Sequence, residues 1–164
     1  MQSTSQNIEK MRELIHGIEI AMLSTLHDEE IKTRPMATTE VDQEGNIWFF
    51  TDEFSEKVRD LEQRHKVCVS YSHPGKDSYV TVNGFAEVVD DKGKMASLFS
   101  PMVKRFFPGG IDDPRLSLLK IKPYQMEYWE SHSEDGMLRF MGVLGSSPVA
   151  DVELHHGEHG KINF

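Results

Sequence analysis

A single cysteine, Cys68, stands in a chain of 164 residues, so no intrachain disulfide can form. It lies in the alternating run Val67-Cys68-Val69-Ser70-Tyr71, the setting of a small core residue rather than of a reactive thiol. Long apolar runs are missing as well. No stretch approaches the ~18 residues of a membrane-spanning helix, and the first residues lack a charged segment followed by an apolar one. The expectation is a protein of the reducing cytoplasm with no membrane partner. Basic residues are scarce: 18 Lys and Arg face 27 Asp and Glu, a net charge of −9. Binding to nucleic acid is not expected, because phosphates must be neutralised by Lys and Arg. There is no glycine-rich nucleotide loop, no HExxH and no nucleophile elbow. The tail histidines His155, His156 and His159 have no cysteine or carboxylate at structural-zinc spacing, so no metal site is expected.

What is present fits one domain over residues 1–164. The apolar fraction is a modest 38%, compatible with a small core whose remaining apolar surface is buried by a second copy. Residues 5–17 place Ile8, Met11, Leu14 and Ile15 at helical spacing, with Ser5 as the expected N-cap and Gly17 as the stop. Strands are expected at 20–26 and 31–41, with Pro35 arguing for an edge or a bulge because it cannot donate to a ladder. A hairpin turn at Asp42-Gln43-Glu44-Gly45 leads to an aromatic strand at 46–51. A short helix at 55–64, strands at 66–73 and 78–89 (interrupted at Gly84), a helix at 90–100 and a strand at 116–129 follow. Residues 101–114 read as a lid-like connection carrying Met102, Phe106 and Phe107. Short helices among about six antiparallel strands, with no βαβ spacing, predict a mainly β (α+β) chain closed into a small barrel. The core is expected over about 8–130. Past it lies a C-terminal extension, 131–164, with one more strand expected at 137–144 and a loose histidine-containing tail from 151.

The polar residues of most interest gather between Lys32 and Glu62. Ser55 and Lys57 open a helix, where unpaired backbone N–H groups and the positive end of the dipole suit a phosphate. Arg34, in Thr-Arg-Pro-Met on the preceding hairpin, can add a two-pronged contact. Taken singly, Ser55 is an ordinary N-cap and Lys57 a solvated charge.

The combination of Thr33-Arg34-Pro35-Met36, Trp48-Phe49-Phe50-Thr51 and Ser55-Glu56-Lys57 resembles the FMN-binding split-barrel family. This is the pyridoxamine 5′-phosphate oxidase-like group, and the general stress protein branch is the nearest. The resemblance runs over about 8–129 and implies a six-stranded antiparallel split β-barrel. It implies that Arg34, Ser55 and Lys57 bind the FMN phosphate, and that the backbone of Pro35 and Met36, continued by Ala37, Thr38 and Thr39, runs along the flavin ring. Phe50 and Thr51 match the aromatic-threonine pair at the end of the next strand. Tyr79, and Trp129 in Pro123…Glu127-Tyr128-Trp129, match ring-contacting residues that a partner subunit supplies, so a homodimer with FMN at its interface is implied. FAD is the alternative cofactor.

Two departures matter. Glu56 stands where the family often has a second phosphate-binding arginine. Asp135-Gly136-Met137 replaces the Arg-x-His pair of true pyridoxamine phosphate oxidases, and an acid is unsuited to holding a substrate phosphate. Oxidation of pyridoxamine phosphate is therefore not expected, and Arg139 is a weak match to a further phosphate-region arginine. No side chain stands out as a catalytic acid or base. Three readings remain: a flavin-dependent oxidoreductase of unknown substrate, a non-catalytic flavin-binding or sensing module, and a barrel that only mediates interactions.

Overall fold

The computed structural model describes residues 3–131 and 157–164. The strand expected at 137–144, together with Asp135-Gly136-Met137, Arg139, His155 and His156, lies outside the described residues. Helix α1 (Thr4–Ile15) starts two residues earlier than the spacing predicts. Ser3 caps it, because Ser3 and Gln6 satisfy each other reciprocally: the Gln6 N–H donates to Ser3 Oγ at 3.3 Å and the Ser3 N–H to Gln6 Oε1 at 2.8 Å. The expected stripe of Ile8, Met11, Leu14 and Ile15 is buried.

Six strands then build the barrel: β1 (Ile20–His27), β2 (Glu30–Val41), β3 (Ile47–Asp52), β4 (Lys66–His73), β5 (Ser78–Val89) and β6 (Leu116–Ser131). They run β3-β2-β1-β4-β5-β6, every neighbour is antiparallel, and a β3–β6 ladder closes the ring. Helix α2 (Glu56–Gln63) follows β3, while α3 (Lys92–Leu98) and α4 (Pro101–Phe106) lie between β5 and β6. The connection read as a lid thus contains a helix.

Alternation along the strands sends Leu23, Met36, Phe49, Val69, Val82 and Met126 inward, where α1 joins them in the main core. Each such side chain, fully buried, contributes roughly 1.5–3 kcal/mol. Gly84 sits at the β5 bulge between Asn83 and Gly84. A Cβ there would lie 2.7 Å from Ile121 and 2.8 Å from the Lys122 carbonyl, so only glycine lets the two strands approach this closely.

The barrel is split because β2 and β6 each change partner midway. Residues 30–37 of β2 pair with β1, whereas the β3 ladder begins only at Thr38. Pro35 therefore lies where β2 has one paired edge, in keeping with its missing N–H. Likewise 116–121 of β6 pair with β3, and 125–131 pair with a seventh strand, β7 (Gly157–Asn163). The tail expected to be loose is thus strand over 157–163. Gly160 makes this docking fit, since a Cβ there would sit 2.4 Å from the Tyr128 ring, and Ile162 is buried against the main core.

The outside of the barrel is covered unevenly. Over β3 and β6, helices α3 and α4 bring Met95, Val103 and Phe107 onto Trp48, Leu116 and Leu118 in a second apolar cluster. Over β1, Ile20 and Met22 are left 51% and 41% exposed.

Candidate functional site

Strand β3 ends at Asp52, and a short turn leads into α2. The Ser55 N–H donates to the Asp52 carbonyl at 3.1 Å and the Phe54 N–H to Asp52 Oδ1 at 2.9 Å. Ser55 has the extended backbone of an N-cap, but its hydroxyl does not cap the helix. Its Oγ is buried with no hydrogen-bond partner, and so is Oγ1 of Thr51 on the adjoining strand end. A buried hydroxyl left unpaired costs roughly 1–3 kcal/mol, so two within five residues are unusual for a region that serves only to fold.

Across from this turn, β2 presents Arg34 on its inward face. The guanidinium donates through Nη1 to Thr25 Oγ1 and through Nη2 to Asp60 Oδ2, the latter at 3.4 Å. Asp60, on the inner side of α2, has a fully buried carboxylate. It also accepts from Thr25 Oγ1 at 3.2 Å and meets His27 Nδ1 at 2.5 Å. Burial raises the pKa of the Asp60 carboxyl. The hydrogen bond and charge of His27, with Thr25 and Arg34, outweigh that and hold it below the usual carboxylate range.

Lys57 is half-buried, and among the described residues it makes no ion pair. Burial, and then the charge of Arg34, push its ammonium below the usual lysine range, and Asp52 offsets this only in part. Lys57 thus feels the charge of Arg34, itself paired with Asp60, beside two hydroxyls without partners and the N-terminus of α2. Of the four residues grouped from the sequence, Thr51 stands at the end of β3, Ser55 and Lys57 open α2, and Arg34 acts on Lys57 from β2. The donors, all of them positive or hydroxyl, fit a phosphate. Glu56 does not oppose this: it is exposed and pairs with Lys32 on the surface.

The remaining candidates are placed differently. Pro35 and Ala37 lie on the outward face of β2, and Met36 points into the core. Thr38 is already engaged, its Oγ1 lying 2.9 Å from the Tyr71 hydroxyl, and burial pushes the Tyr71 phenol up. Thr39 falls in the bulge between Thr38 and Glu40. It lines a groove of about 360 Å³ with Thr38, Gly17 and the end of α1. Phe50 faces away from Thr51, edge-on to Phe99 at 6.2 Å in the second cluster. Tyr79 and Trp129 stand directly opposite each other on β5 and β6, and Trp129 stacks on His159 of β7 at 5.1 Å. That row lies on the outer face of β5 and β6, whereas Arg34 lies on the inner face of β2.

Sequence reasoning missed Thr25, His27 and Asp60. The one available signal was an acid at position 60 beside the inward-facing Val58 and Leu61, in a helix whose other acids face water. No helix among the described residues is long and apolar enough to cross a membrane. Among the described residues no group of three His, Cys, Asp or Glu side chains could hold a metal ion.

Known proteins share this fold and chain pattern. The general stress FMN/FAD binding protein from the phytopathogen Xanthomonas citri superposes with a TM-score of 0.70 at 26% identity, over 80% of this chain and 93% of that one. General stress protein 26 of Bacillus anthracis str. Sterne gives 0.67 at 25% identity, over 75% and 93%. Protein bli-3 of Neurospora crassa is 22% identical over 134 residues, 75% of this chain, and the chain spans only 64% of that protein's length. The six-stranded barrel with four helices is the split barrel that the motif order implies. Residues 6–147 match the family described as "Pyridoxamine 5'-phosphate oxidase like", and it is to this pyridoxamine 5′-phosphate oxidase-like family that the chain belongs.

Proposed function

We propose that the protein is a homodimeric flavoprotein that binds FMN in two equivalent clefts at the subunit interface. The observation that carries this reading is the anion corner, where Arg34 and Lys57 lack a shared counter-charge and the buried hydroxyls of Thr51 and Ser55 lack partners. A phosphate monoester supplies the acceptors that all four need. Arg34, Ser55 and Lys57 anchor it, Thr51 donates at the ring-proximal side, and the backbone of residues 34–39 flanks the ring.

Dimerisation is the second half of the reading. Ile20 and Met22 are exposed on the bare face, which Pro35, Ala37 and Tyr79 share. A second copy laid on this face buries that apolar surface and brings its Tyr79 and Trp129 to the flavin that the first copy anchors. When bound, the flavin supplies hydride or electron transfer. The chain's own part is to orient the ring and shield it from water. The substrate differs from pyridoxamine phosphate, given Asp135-Gly136-Met137, and the lone Cys68 suits a reducing cytoplasmic setting.

Purified protein should show flavin absorbance in the visible, or acquire it on FMN addition with heat release. A colourless protein with no heat of FMN binding refutes the proposal. Among the described residues the corner's network serves anchoring and offers no acid or base aimed at a reacting atom, which favours a second reading of a binding or sensing module. Anaerobic mixing with NADH or NADPH separates the two: rapid bleaching of bound FMN marks a reductase, and its absence marks the binder.

A further inference from the structure

The corner contains one titratable group that phosphate anchoring alone does not call for. His27 closes β1, 43% of its side chain is exposed, and its Nδ1 lies 2.5 Å from Asp60 Oδ1. Asp60 is ionised, so Nδ1 carries the hydrogen in that bond, and Nε2 is left toward solvent, 3.9 Å from Asp28. A proton can therefore be added at Nε2 without breaking the contact to Asp60. Asp60 is also an acceptor of the Arg34 guanidinium, so the charge on the imidazole sits one carboxylate away from the anchoring arginine.

The charges near His27 come from its own turn, from β2 and from α2. Asp28 lies in the turn, Glu30 stands opposite it on β2, and Asp60 and Glu56 come from α2. Glu56 is matched by Lys32, and Asp28 and Glu30 are exposed to screening solvent. With the imidazole neutral, Arg34 and Lys57 are balanced by Asp60 and by the Asp52 beside Lys57, and the corner has no net charge. With the imidazolium present it carries one positive charge. A terminal phosphate monoester carries −1.5 to −2 near neutral pH, whereas each phosphate of a dinucleotide carries a single charge.

We propose that His27, acting through Asp60, is a specificity-determining residue of this corner: its imidazolium form supplies the charge that favours a terminal phosphate monoester, as in FMN, over the singly charged phosphates of a dinucleotide, as in FAD. The proposal rests on the flavin-phosphate reading above. It assigns His27 a positioning role, since it acts through Asp60 and Arg34 and needs no contact with the ligand.

The test is calorimetric titration of the flavin-free full chain with FMN, FAD and riboflavin at about pH 6.5 and about pH 8.5, for wild type, His27→Gln and His27→Lys. The lower pH favours an imidazolium and the higher pH a neutral ring. Ionisation of the FMN phosphate itself is common to all three proteins, so the difference between them isolates residue 27. At the lower pH, His27→Gln should bind FMN about three- to five-fold more weakly than wild type, the size of one partly screened charge at short range. FAD should weaken less than two-fold and riboflavin not at all. At the higher pH, wild type and His27→Gln should coincide, and His27→Lys, with its fixed charge, should bind FMN more tightly than either. Equal FMN affinity of wild type and His27→Gln at both pH values overturns the inference, as does an equal loss for all three ligands. If wild type binds no flavin at all, the functional reading falls and takes this inference with it.

Discussion

Two polar clusters flank β3, and their difference separates folding from function. At its start, Asp42 in the hairpin turn accepts from the N–H groups of Glu44 and Asn46 at 3.0 and 2.9 Å. It also accepts from the Asn46 amide and from the Trp48 indole, at 2.9 and 2.8 Å. Burial raises the Asp42 pKa, but these donors outweigh it and hold the carboxyl below its usual range. Every group there has a partner. At the other end of β3, Thr51 and Ser55 have none and Lys57 feels the charge of Arg34. Both clusters are partly buried and hold ionised groups, so burial does not tell them apart. The count of unmet partners does. A satisfied cluster needs nothing further, whereas an unsatisfied one calls for a partner.

The sharpest way to break the comparison is to remove the cations. Arg34→Ala combined with Lys57→Ala should weaken FMN binding by at least ~100-fold, since each charged contact is worth roughly 1.5–3 kcal/mol. Because Arg34 is also a partner of the buried Asp60 carboxylate, the flavin-free double variant should lose about 1–3 kcal/mol in urea. Asp42→Ala should act on stability alone. It strands the Trp48 indole and the Asn46 amide and should cost about 2–3 kcal/mol in urea unfolding, with FMN affinity of the folded variant unchanged.

Thr51→Val sharpens the contrast, because it keeps the shape and deletes only the orphaned hydroxyl. The flavin-free protein should gain about 1 kcal/mol while FMN affinity falls several-fold. If the variant is instead destabilised, Thr51 is satisfied in solution and calls for no partner. The smallest effect is expected for Lys57→Met. After allowance for solvent screening, it should raise the stability of the flavin-free protein by about 0.5 kcal/mol.

The two clusters respond to pH in the same sense but in different windows, because a lowered folded pKa makes stability rise with pH for an acid and a base alike. Asp42 titrates lower in the folded chain than unfolded. Its stabilisation is therefore complete above the model-peptide value of 3.8 and lost as pH falls through the folded value. Lys57, a cation, also titrates lower when folded. The flavin-free protein should thus gain stability as pH rises through the interval below 10.5. Urea midpoints should rise with pH in both windows, and a fall in either contradicts the corresponding shift.

How much of this was legible in the chain depends on whether local pattern or distant contact decides each residue. Helix α1 and the strands β1 to β6 announce themselves through periodicity, and Gly84 and Pro35 through what their backbones can and cannot do. Arg34, Thr51, Ser55 and Lys57 could be singled out because the motif order survives in the sequence. That Phe50 turns away from Thr51 follows from strand alternation once the inward face is known, and Phe99 fixes it. Asp60 and His27 were not legible. An acid in mid-helix and a histidine before a turn look like surface residues until the β1–α2 contact brings them together. Strand β7 was missed for a related reason. It has one buried apolar residue, Ile162, and two glycines, and only the Tyr128 ring beneath Gly160 explains why a strand lies there.

The central claim is that the unsatisfied end of β3 is a phosphate anchor, and the most direct test compares two ligands that differ only in that group. Calorimetric titration of the flavin-free protein should give FMN an affinity at least ~100-fold above that of riboflavin, as expected for two charge-assisted contacts. Equal affinities for FMN and riboflavin would contradict it.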